Sequence, residues 1–341
     1  MPFSSLLELT PAGLYCPTGD FYIDPHRAVD RAVVTHAHSD HAKAGHRSVL
    51  AHPLTLAVIK KRIDASANGQ PVEYGSSLVI NGVRLSLHPA GHVPGSAQVR
   101  IEHKGLVAVV TGDYKLEHDG LTEPYEQQRC HWFLTECTFG IPAFKWEPQA
   151  ALVDKIARCY EENRSRGTTT ILAAYALGKA QRLLHLLAPR IPLICVHRSV
   201  GSINGALIKA GLELPDAIGM NAAAAREHTP DRLVIAPSFA LREAWVRRLG
   251  PCSVYTVSGW VAMQWRGRGG NGFAMSDHAD WPGLNRAVRD SGAERVTLAH
   301  GYVKEFQSAL TRNGIAADIL GEKSNLHASG REGDQLGLPF S

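Results

Sequence analysis

The segment Thr35-His36-Ala37-His38-Ser39-Asp40-His41 directly follows the strand-like run Ala32-Val33-Val34 and carries three imidazoles and one carboxylate. Alternate residues of an extended segment project to the same side, so the first two histidines can bind one cation. Asp40 and His41 are then free to bind a neighbouring cation. Imidazole and carboxylate suit Zn²⁺, with Mn²⁺ or Fe as alternatives. The segment therefore predicts a metal-binding loop at the end of a strand.

Four further strand-like runs each lead to one chelating or acid–base residue. The runs are Val83–Leu87, Leu106–Val110, Trp132–Leu134 and Val296–Leu298, and the residues that follow them are His92, Asp113, Glu136 and His300. Functional groups collect at strand ends because the sheet holds them in place. If these strands belong to one sandwich, we expect all four residues along one edge, beside the histidine-rich loop.

The rest of the chain alternates short apolar runs with helical patterns, which is typical of an α/β protein. We predict helices over 149–164, 179–187, 239–249 and 281–290. The 341 residues are 44% hydrophobic and 20% charged, which excludes global disorder and predicts about two domains. No apolar run approaches the ~18 residues needed to cross a bilayer, and the first residues do not resemble a secretory signal.

Cysteine spacing and charge add two expectations. The six cysteines include no CxxC pair, which indicates reduced thiols in a cytoplasmic protein and argues against a cysteine zinc site. Residues 145–275 hold 17 Lys+Arg against 9 Asp+Glu, a net charge of +8 in a chain of net +4. A basic central segment favours a polyanionic partner, although a solvated helix face would give the same pattern.

The pattern HxHxDH, followed by Gly91-His92 and Gly112-Asp113, resembles the metallo-β-lactamase-fold hydrolases. That resemblance implies an αβ/βα sandwich with two divalent metal ions at one edge, Zn²⁺ being the expected ion. It also implies the ligands: His36, His38 and His92 for one ion, Asp40 and His41 for the other, and Asp113 between the two. Asp24 would then support the ligands from behind through hydrogen bonds.

Later motifs resemble the β-CASP branch of that fold, whose members are nucleases acting on DNA or RNA. The matching segments are Thr135–Gly140 for motif A, Ser276–Asp280 for motif B, Leu298–Gly301 for motif C, and Tyr175–Gln181 and Val257–Trp260 between them. The resemblance implies a metallo-β-lactamase domain in two parts, 1–144 and 273–341, with an inserted α/β domain at 145–272. His300 in motif C, where Artemis-like enzymes carry valine, favours a full second metal site.

Within this branch, Leu9–Pro17 and Gly19–Pro25 resemble the bacterial ligase-associated DNA exonucleases. The resemblance implies a DNA exonuclease of DNA repair that uses a hydroxide activated by two metals, with a DNA ligase as a functional partner. A preference for 5′ ends follows only by analogy. Asp40, Glu136 and His278 would be the catalytic residues, with His278 stabilising the oxyanion or protonating the leaving oxygen.

Three other functions remain open: a β-CASP ribonuclease, a small-molecule hydrolase on the same scaffold, and a non-catalytic nucleic-acid-binding protein. For the nucleic acid we predict phosphate contacts from the basic residues of the central segment. They are Lys179, Arg182, Arg266 and Arg268, with Arg164 and Arg166 as further choices. Trp260 and Trp265 are predicted to be core aromatics, with base stacking as the alternative.

Overall fold

The computed structural model describes residues 6–220, 231–264 and 271–322 of the chain. Within this part, the backbone forms three β-sheets with α-helices between them. The first sheet contains six strands in chain order: β1 (Glu8–Thr10), β2 (Gly13–Cys16), β3 (Phe21–Ile23), β4 (Arg31–Val33), β5 (Ser48–Ala51) and β6 (Gly69–Pro71). Its first two pairings are antiparallel and the others are parallel.

The second sheet combines strands from both ends of the chain. It contains β7 (Ser77–Ile80), β8 (Val83–Pro89), β9 (Ala97–His103), β10 (Leu106–Val110), β11 (Trp132–Cys137), β18 (Arg295–Gly301) and β19 (Ala317–Ile319), in the order β19-β18-β11-β10-β9-β8-β7. Strands β10, β11 and β18 are parallel neighbours, so their carboxyl ends lie at one edge. This arrangement brings Asp113, Glu136 and His300 to the same edge, although 187 positions separate the first from the last.

The third sheet is entirely parallel and belongs to the central segment. Its strands are β12 (Thr169–Ala173), β13 (Ile194–His197), β14 (Ile218–Met220), β15 (Leu233–Ala236), β16 (Cys252–Val257) and β17 (Gly272–Phe273), in the order β14-β13-β15-β12-β16-β17. Every residue of β12, β13 and β15 is buried, as expected for parallel strands covered on both faces. The division into three parts stays a prediction. All the strands of this sheet lie within the proposed insertion at 145–272, except that β17 extends one residue beyond it.

The helices cover the outer faces of the sheets. They are α1 (Pro53–Arg62), α2 (Gln149–Ser165), α3 (Lys179–Leu187), α4 (Arg198–Lys209), α5 (Ala244–Arg248), α6 (Val261–Gln264), α7 (Trp281–Ser291) and α8 (Val303–Arg312). Each helix in the described part of the chain is too short or too polar to cross a lipid bilayer. Asp280 caps α7 by accepting a hydrogen bond from the Gly283 amide over 2.9 Å.

Apolar side chains from the first two sheets meet in one core. Leu14 and Val33 of the first sheet are buried in the same cluster as Leu85 and Val99 of the second. Burying an aliphatic side chain of this size stabilises a fold by roughly 1.5–3 kcal/mol. Helices α7 and α8 cover the other face of the second sheet, where Phe306 is fully buried. The layers confirm the predicted αβ/βα sandwich and the α/β fold class.

Helix α1 joins the first sheet to the central segment. Val58 and Ile59 of α1 share a buried cluster with Leu183 of α3 and Ile203 of α4. The same cluster includes Ala32 of the first sheet. Since one apolar cluster extends across both parts, burial of this surface fixes how the central segment lies over the sandwich edge.

One predicted helix is wrong. Instead of a continuous helix over 239–249, the chain forms a 3₁₀ turn at Ser238–Arg242, an extended Glu243, and then α5. The Glu243 carboxylate lies 3.4 Å from Nε2 of His197 and 3.8 Å from Nη2 of Arg198. His197 ends β13 and Arg198 follows it, far from Glu243 in the sequence. Their contacts with Glu243 override the local helical pattern. The predicted helices at 149–164, 179–187 and 281–290 correspond to α2, α3 and α7.

Candidate metal centre

Two glycines allow the loops that carry the candidate ligands to come together. Gly112 has φ 55°, and a Cβ there would lie 2.7 Å from the Thr35 Cβ. Gly91 has φ 71°, and a Cβ there would lie 2.4 Å from the Lys115 carbonyl oxygen. A side chain at either position would push the loops apart. The glycines therefore let Asp113 approach the histidine-rich loop.

Four side chains form the first ligand group: His36, His38, His92 and Asp113. Their donor atoms all lie within 4.8 Å of one another. Nδ1 of His38 lies 3.0 Å from Nε2 of His36 and 3.1 Å from Nε2 of His92. Asp113 Oδ2 lies 3.6 Å and 3.7 Å from the same two Nε2 atoms. Ligands at ~2.0–2.1 Å from a tetrahedral Zn²⁺ would be about 3.4 Å apart, so these atoms fit such an ion.

The other ring nitrogen of each of these histidines faces an oxygen. Nδ1 of His36 lies 3.1 Å from Thr35 Oγ1, Nε2 of His38 lies 3.3 Å from the Leu177 carbonyl, and Nδ1 of His92 lies 2.8 Å from the Asp277 carbonyl. When one ring nitrogen carries the hydrogen and donates it to an oxygen, the other ring nitrogen keeps a free lone pair. In these three histidines that lone pair points into the first ligand group. Burial lowers the pKa of His36 and His92 well below the usual value, so both rings are neutral, as a metal ligand must be.

Asp24 lies behind the histidine-rich loop and holds it in three places. Its Oδ1 accepts a hydrogen bond from the Thr35 amide over 2.8 Å. Its Oδ2 accepts from Thr35 Oγ1 over 2.6 Å and from His41 Nδ1 over 2.7 Å. The backbone at Asp24 has φ 45°, an uncommon conformation for a residue other than glycine. Asp24 is thus placed to position the loop, and the supporting role towards a metal that the resemblance implies stays a prediction.

Asp40, His41 and His300, which are predicted to hold a second ion together with Asp113, form what is here called the second ligand group, and they are less closely gathered than the first group. Nε2 of His41 lies 3.4 Å from Asp113 Oδ1 and 3.8 Å from Asp40 Oδ2. The rings of His41 and His300 are 5.6 Å apart, centroid to centroid. Asp113 thus presents Oδ2 to the first group and Oδ1 to the second. This is the arrangement that a carboxylate shared by two metal ions requires.

His300 reaches this edge through an irregularity in the sheet. The pairing of β11 with β18 shifts register between Glu136 and Cys137, opposite the end of β18. His300 has φ 59° and its side chain is exposed. A bulge of this kind re-aims a side chain, here towards the cavity that His41 also lines.

Glu136 and His278 form a hydrogen-bonded pair next to Asp113. Nδ1 of His278 lies 2.9 Å and 3.0 Å from the two carboxylate oxygens of Glu136. Those oxygens also accept hydrogen bonds from the backbone amides of Tyr114 and Thr138. Burial alone would lower the pKa of His278, but the carboxylates of Glu136 and Asp113 raise it to about 9. The donor atoms of Asp113, Glu136 and His278 also lie within 4.8 Å of one another, but both Glu136 oxygens are occupied.

The predicted phosphate contacts are only partly compatible with the structure. Lys179 and Arg182 are buried, and both pair with the Asp277 carboxylate, at 2.7 Å and 3.4 Å. Arg182 also donates to Gln149 and to the Ser276 carbonyl, so it has no free face for a phosphate. The prediction for Arg182 is therefore corrected to a structural contact between the central segment and motif B. Lys179 still lines the cavity. Arg266, Arg268 and Trp265 lie outside the described residues.

A cavity of about 320 Å³ opens above both ligand groups. Its walls include Arg62 and Tyr175, whose side chains were given no role by the sequence motifs, and Trp260, which was predicted to be a core residue. Trp260 is 42% exposed, so the prediction that it is a core residue is wrong. Arg62 ends α1 and is exposed, and no carboxylate in the described part of the chain forms an ion pair with it. Only the basic run Lys60-Lys61-Arg62 marks this position in the sequence.

Comparison with known proteins gives partial matches. No protein-family model matches the chain. A probable DNA ligase of Opitutus terrae is 31% identical over 319 residues, which is 92% of this chain and 31% of that protein. A ribonuclease of Thermus thermophilus is 28% identical over 206 residues, 51% of this chain and 47% of the relative. An endoribonuclease of Emericella nidulans is 34% identical over 123 residues, 35% of this chain and 14% of the relative. The chain thus spans less than half the length of these three curated relatives.

A solved structure shares the fold. It is a protein of unknown function from Enterococcus faecalis, with a TM-score of 0.58 and 15% sequence identity. The match covers 86% of this chain and 79% of that one. At this identity the likeness concerns the fold alone.

Proposed function

The chain belongs to the β-CASP branch of the metallo-β-lactamase fold, and on that premise we propose that it is a metal-dependent nuclease. One observation carries the proposal: Asp113 presents one carboxylate oxygen to each of two ligand groups at the floor of an open cavity. The first group would hold one divalent ion and the second group the other. Zn²⁺ suits the histidine-rich donor set, with Mn²⁺ or Fe as alternatives.

When bound, two divalent ions here would neutralise phosphate charge and lower the pKa of a water molecule. Asp24 orients His41, Thr35 orients His36, and the carbonyls of Leu177 and Asp277 orient the other two imidazoles for that task. The nearby His41 and His278 hold the pKa of Asp113 well below the usual value against the effect of burial, so Asp113 remains an anion. Asp113 and Asp24 in turn raise the pKa of His41 well above the usual value, so His41 would have to release a proton to bind an ion. Asp40 would complete the second group from the exposed side.

His278 is the residue we assign to the proton. Its Nδ1 is tied to Glu136, while its Nε2 lies 4.0 Å from Asp113 Oδ2 and faces the cavity. In hydrolysis, water adds to phosphorus, the bond to the leaving oxygen breaks, and that oxygen needs a proton. His278 would donate it from Nε2, and Glu136 would stabilise the charged ring, a step that typically contributes ~10²–10⁴-fold.

For the substrate we propose DNA, processed from an end during repair. The support is the match of 92% of this chain to part of a protein named as a probable DNA ligase. A ligase requires ends of suitable chemistry, so an enzyme that trims ends would be a fitting functional partner. The finer points, exonuclease action and a preference for 5′ ends, belong to this proposal. A cytoplasmic location does as well, and the six cysteines, which form no disulfides, fit it.

Ribonuclease action is the second candidate, because two of the relatives are named as ribonucleases. The cavity wall contains the exposed Arg62, which would attract the phosphates of either polymer. The discriminating contacts would be those that read the 2′-hydroxyl. The experiment must therefore include both polymers.

The test uses purified chain with Zn²⁺ or Mn²⁺ and matched single-stranded DNA and RNA oligonucleotides, labelled at the 5′ or the 3′ end. Asp113→Ala is the control, because it removes the shared carboxylate. We expect metal-dependent release of mononucleotides from DNA by the natural chain and none by the variant. Cleavage of RNA alone would favour the ribonuclease, and no cleavage of either polymer by a metal-loaded chain would contradict the proposal.

A further inference from the structure

Two exposed aromatic side chains of the central segment line the cavity above the candidate metal centre. Tyr175 is 65% exposed and Trp260 is 42% exposed, and both belong to the cavity wall together with His38, Asp113 and His278. Large aromatic rings are ordinarily buried, and leaving them open to water costs hydrophobic free energy. Two such rings lining one polar cavity indicate a ligand with an aromatic face.

The third sheet explains why the two rings line the same cavity. Strands β12 and β16 are parallel neighbours, with Ala173 opposite Thr256 near their carboxyl ends. Tyr175 follows the end of β12 by two residues, and Trp260 follows the end of β16 by three. Ligands of open parallel sheets bind beyond the carboxyl ends of the strands. The sheet therefore holds both rings at the same end, over the metal edge of the sandwich.

Trp260 is supported from behind by aromatic residues of the sandwich. Its ring centroid lies 4.9 Å from that of Phe139 and 5.8 Å from that of Phe144. A Cβ on Gly259 would lie 2.5 Å from Phe139 Cζ, so only glycine permits this close approach. The indole is thus held in place before any ligand arrives, which reduces the entropy that binding would cost.

Tyr175 stands beside a cation. The Lys179 ammonium lies 5.5 Å from the centroid of the Tyr175 ring. Lys179 is buried and paired with Asp277, so the ammonium is fixed beside the ring, and the exposed Tyr175 ring remains available as a stacking surface of the kind found in sites for single-stranded nucleic acid. The cavity, at about 320 Å³, is at the low end of small-molecule sites of roughly 300–1,000 Å³. That volume is sufficient for a nucleotide.

We propose that Tyr175 and Trp260 form a nucleobase-stacking site that takes an unpaired base next to the scissile phosphate. The inference rests on the proposed nuclease function and adds a preference for single-stranded ends. Stacking is tolerant of base identity, because every base has an aromatic face. The site would therefore select for strandedness and not for sequence.

The experiment compares hydrolysis of a single-stranded DNA oligonucleotide with that of oligonucleotides in which one position at a time, counted from either end, is abasic. The variants are Tyr175→Ala, Trp260→Ala and the conservative Trp260→Phe. Phe239→Ala is the matched control, because Phe239 is 64% exposed on the same segment but does not line the cavity. Quenching of the Trp260 fluorescence, obtained as the difference between the natural chain and Trp260→Phe, reports binding without catalysis.

We expect each alanine variant to raise KM for the intact oligonucleotide roughly tenfold with little change in kcat, since stacking acts on binding. Trp260→Phe should recover most of the loss, and Phe239→Ala should change nothing. On the oligonucleotide with the critical abasic position, natural chain and alanine variants should have equal KM. Equal KM on the intact oligonucleotide would overturn the inference, as would a loss of the same size on the abasic one.

The fluorescence readout separates the two levels of the proposal. If the metal-loaded chain cleaves no oligonucleotide but Trp260 fluorescence is quenched by intact and not by abasic DNA, the nuclease function fails while the stacking site stands. If cleavage proceeds without any base-dependent quenching, the stacking site fails and the nuclease function stands.

Discussion

His92 donates a hydrogen bond from Nδ1 to the backbone oxygen of Asp277 over 2.8 Å. The carboxylate of the same aspartate accepts from the Lys179 ammonium over 2.7 Å. Residue 277 therefore connects a candidate metal ligand of the sandwich with the first residue of α3 in the central segment. The position of the central segment and the geometry of the first ligand group are mechanically linked at this one residue.

Breaking that buried pair should destabilise the chain. Lys179→Met removes the ammonium and leaves the Asp277 carboxylate, whose pKa is held far below the usual value, with Arg182 as its remaining partner. Removing one partner of a buried pair typically costs about 3–5 kcal/mol, and the remaining arginine should keep this loss near the lower end. Urea unfolding at neutral pH measures it. The double variant Lys179→Met/Asp277→Asn should be less destabilised than the sum of the single variants, and simple additivity would contradict the coupling.

Asp24→Asn should weaken metal binding while every proposed ligand stays in place. An amide cannot accept from Thr35 and His41 as the carboxylate does, so the His41 ring loses its orienting charge. Loss of such a supporting partner typically costs about 10–100-fold in metal affinity. Competition with a chromophoric chelator gives the value. Asp20→Asn is the matched control, because Asp20 is an exposed aspartate four residues earlier whose carboxylate pairs with Tyr15 and Arg31. Its metal affinity should equal that of the natural chain.

Removal of metal should lower the thermal stability. Without an ion, three neutral imidazoles of the first ligand group direct their lone pairs at one another at 3.0–3.1 Å. A ligand present at 100 times its Kd stabilises the folded state by about 2.7 kcal/mol. Chelation should therefore reduce Tm by roughly 5 °C or more in a chain of this size. Asp113→Ala should show a much smaller shift on chelation, and an unchanged Tm of the natural chain would contradict the metal centre.

His52 makes stability depend on pH at a place remote from the ligand groups. Burial lowers the pKa of His52 to about 4, while its Nδ1 accepts a hydrogen bond from the Leu54 amide at the start of α1. The exposed Glu73 carboxylate at 3.6 Å does not offset burial, because solvent screens it. With an unfolded pKa of about 6.5, the neutral ring is needed for folding, so this stability is complete above pH 6.5 and is lost as the pH falls towards 4.

The loss attributable to His52 should be about 2 kcal/mol at pH 5 relative to pH 7.5. His52→Asn keeps a side-chain acceptor for the start of α1 but does not titrate. Urea unfolding of both chains at the two pH values isolates the effect, because all other groups titrate equally in each. If the variant loses as much stability as the natural chain between these pH values, the assignment to His52 is incorrect.

The sequence was sufficient to predict the sandwich, because its motifs resemble those of the metallo-β-lactamase-fold hydrolases, and the strand pattern pointed to side chains that the structure gathers at one edge. The roles of those side chains as metal ligands stay a prediction. The sequence could not reveal the carbonyls of Leu177 and Asp277, which orient His38 and His92 from 139 and 185 residues away. A backbone oxygen is present at every position, so its use as a partner leaves no trace in residue identity. Arg62 was missed for a related reason, since only tertiary packing of α1 brings it to the cavity.

The wrong predictions for Arg182 and Trp260 concern residues whose role depends on contacts between the central segment and the sandwich. Arg182 has the charge of a phosphate-binding residue, but burial against Gln149 and Asp277 uses that charge internally. Tryptophan is usually a core residue, but Trp260 follows the end of a parallel strand and therefore lines the cavity. Residue type and hydrophobic periodicity predict only the environment that is usual for a residue. The environments of Arg182 and Trp260 depend instead on how the third sheet packs against the sandwich.

Glu136→Gln tests the proton-transfer assignment separately from metal binding. The substitution removes the charge that raises the pKa of His278 to about 9 and leaves one of the amides of Tyr114 and Thr138 without an acceptor. Since Glu136 is not among the proposed ligands, two metal ions should still bind. Hydrolysis should fall by about 10²–10⁴-fold in kcat, because His278 can no longer hold its proton for the leaving oxygen. His278→Ala should cost a similar factor, and the double variant should lose little more, since the two residues act as a unit. If the losses of the two single variants multiply in the double variant, the two residues act separately. If Glu136→Gln loses metal, Glu136 is a ligand.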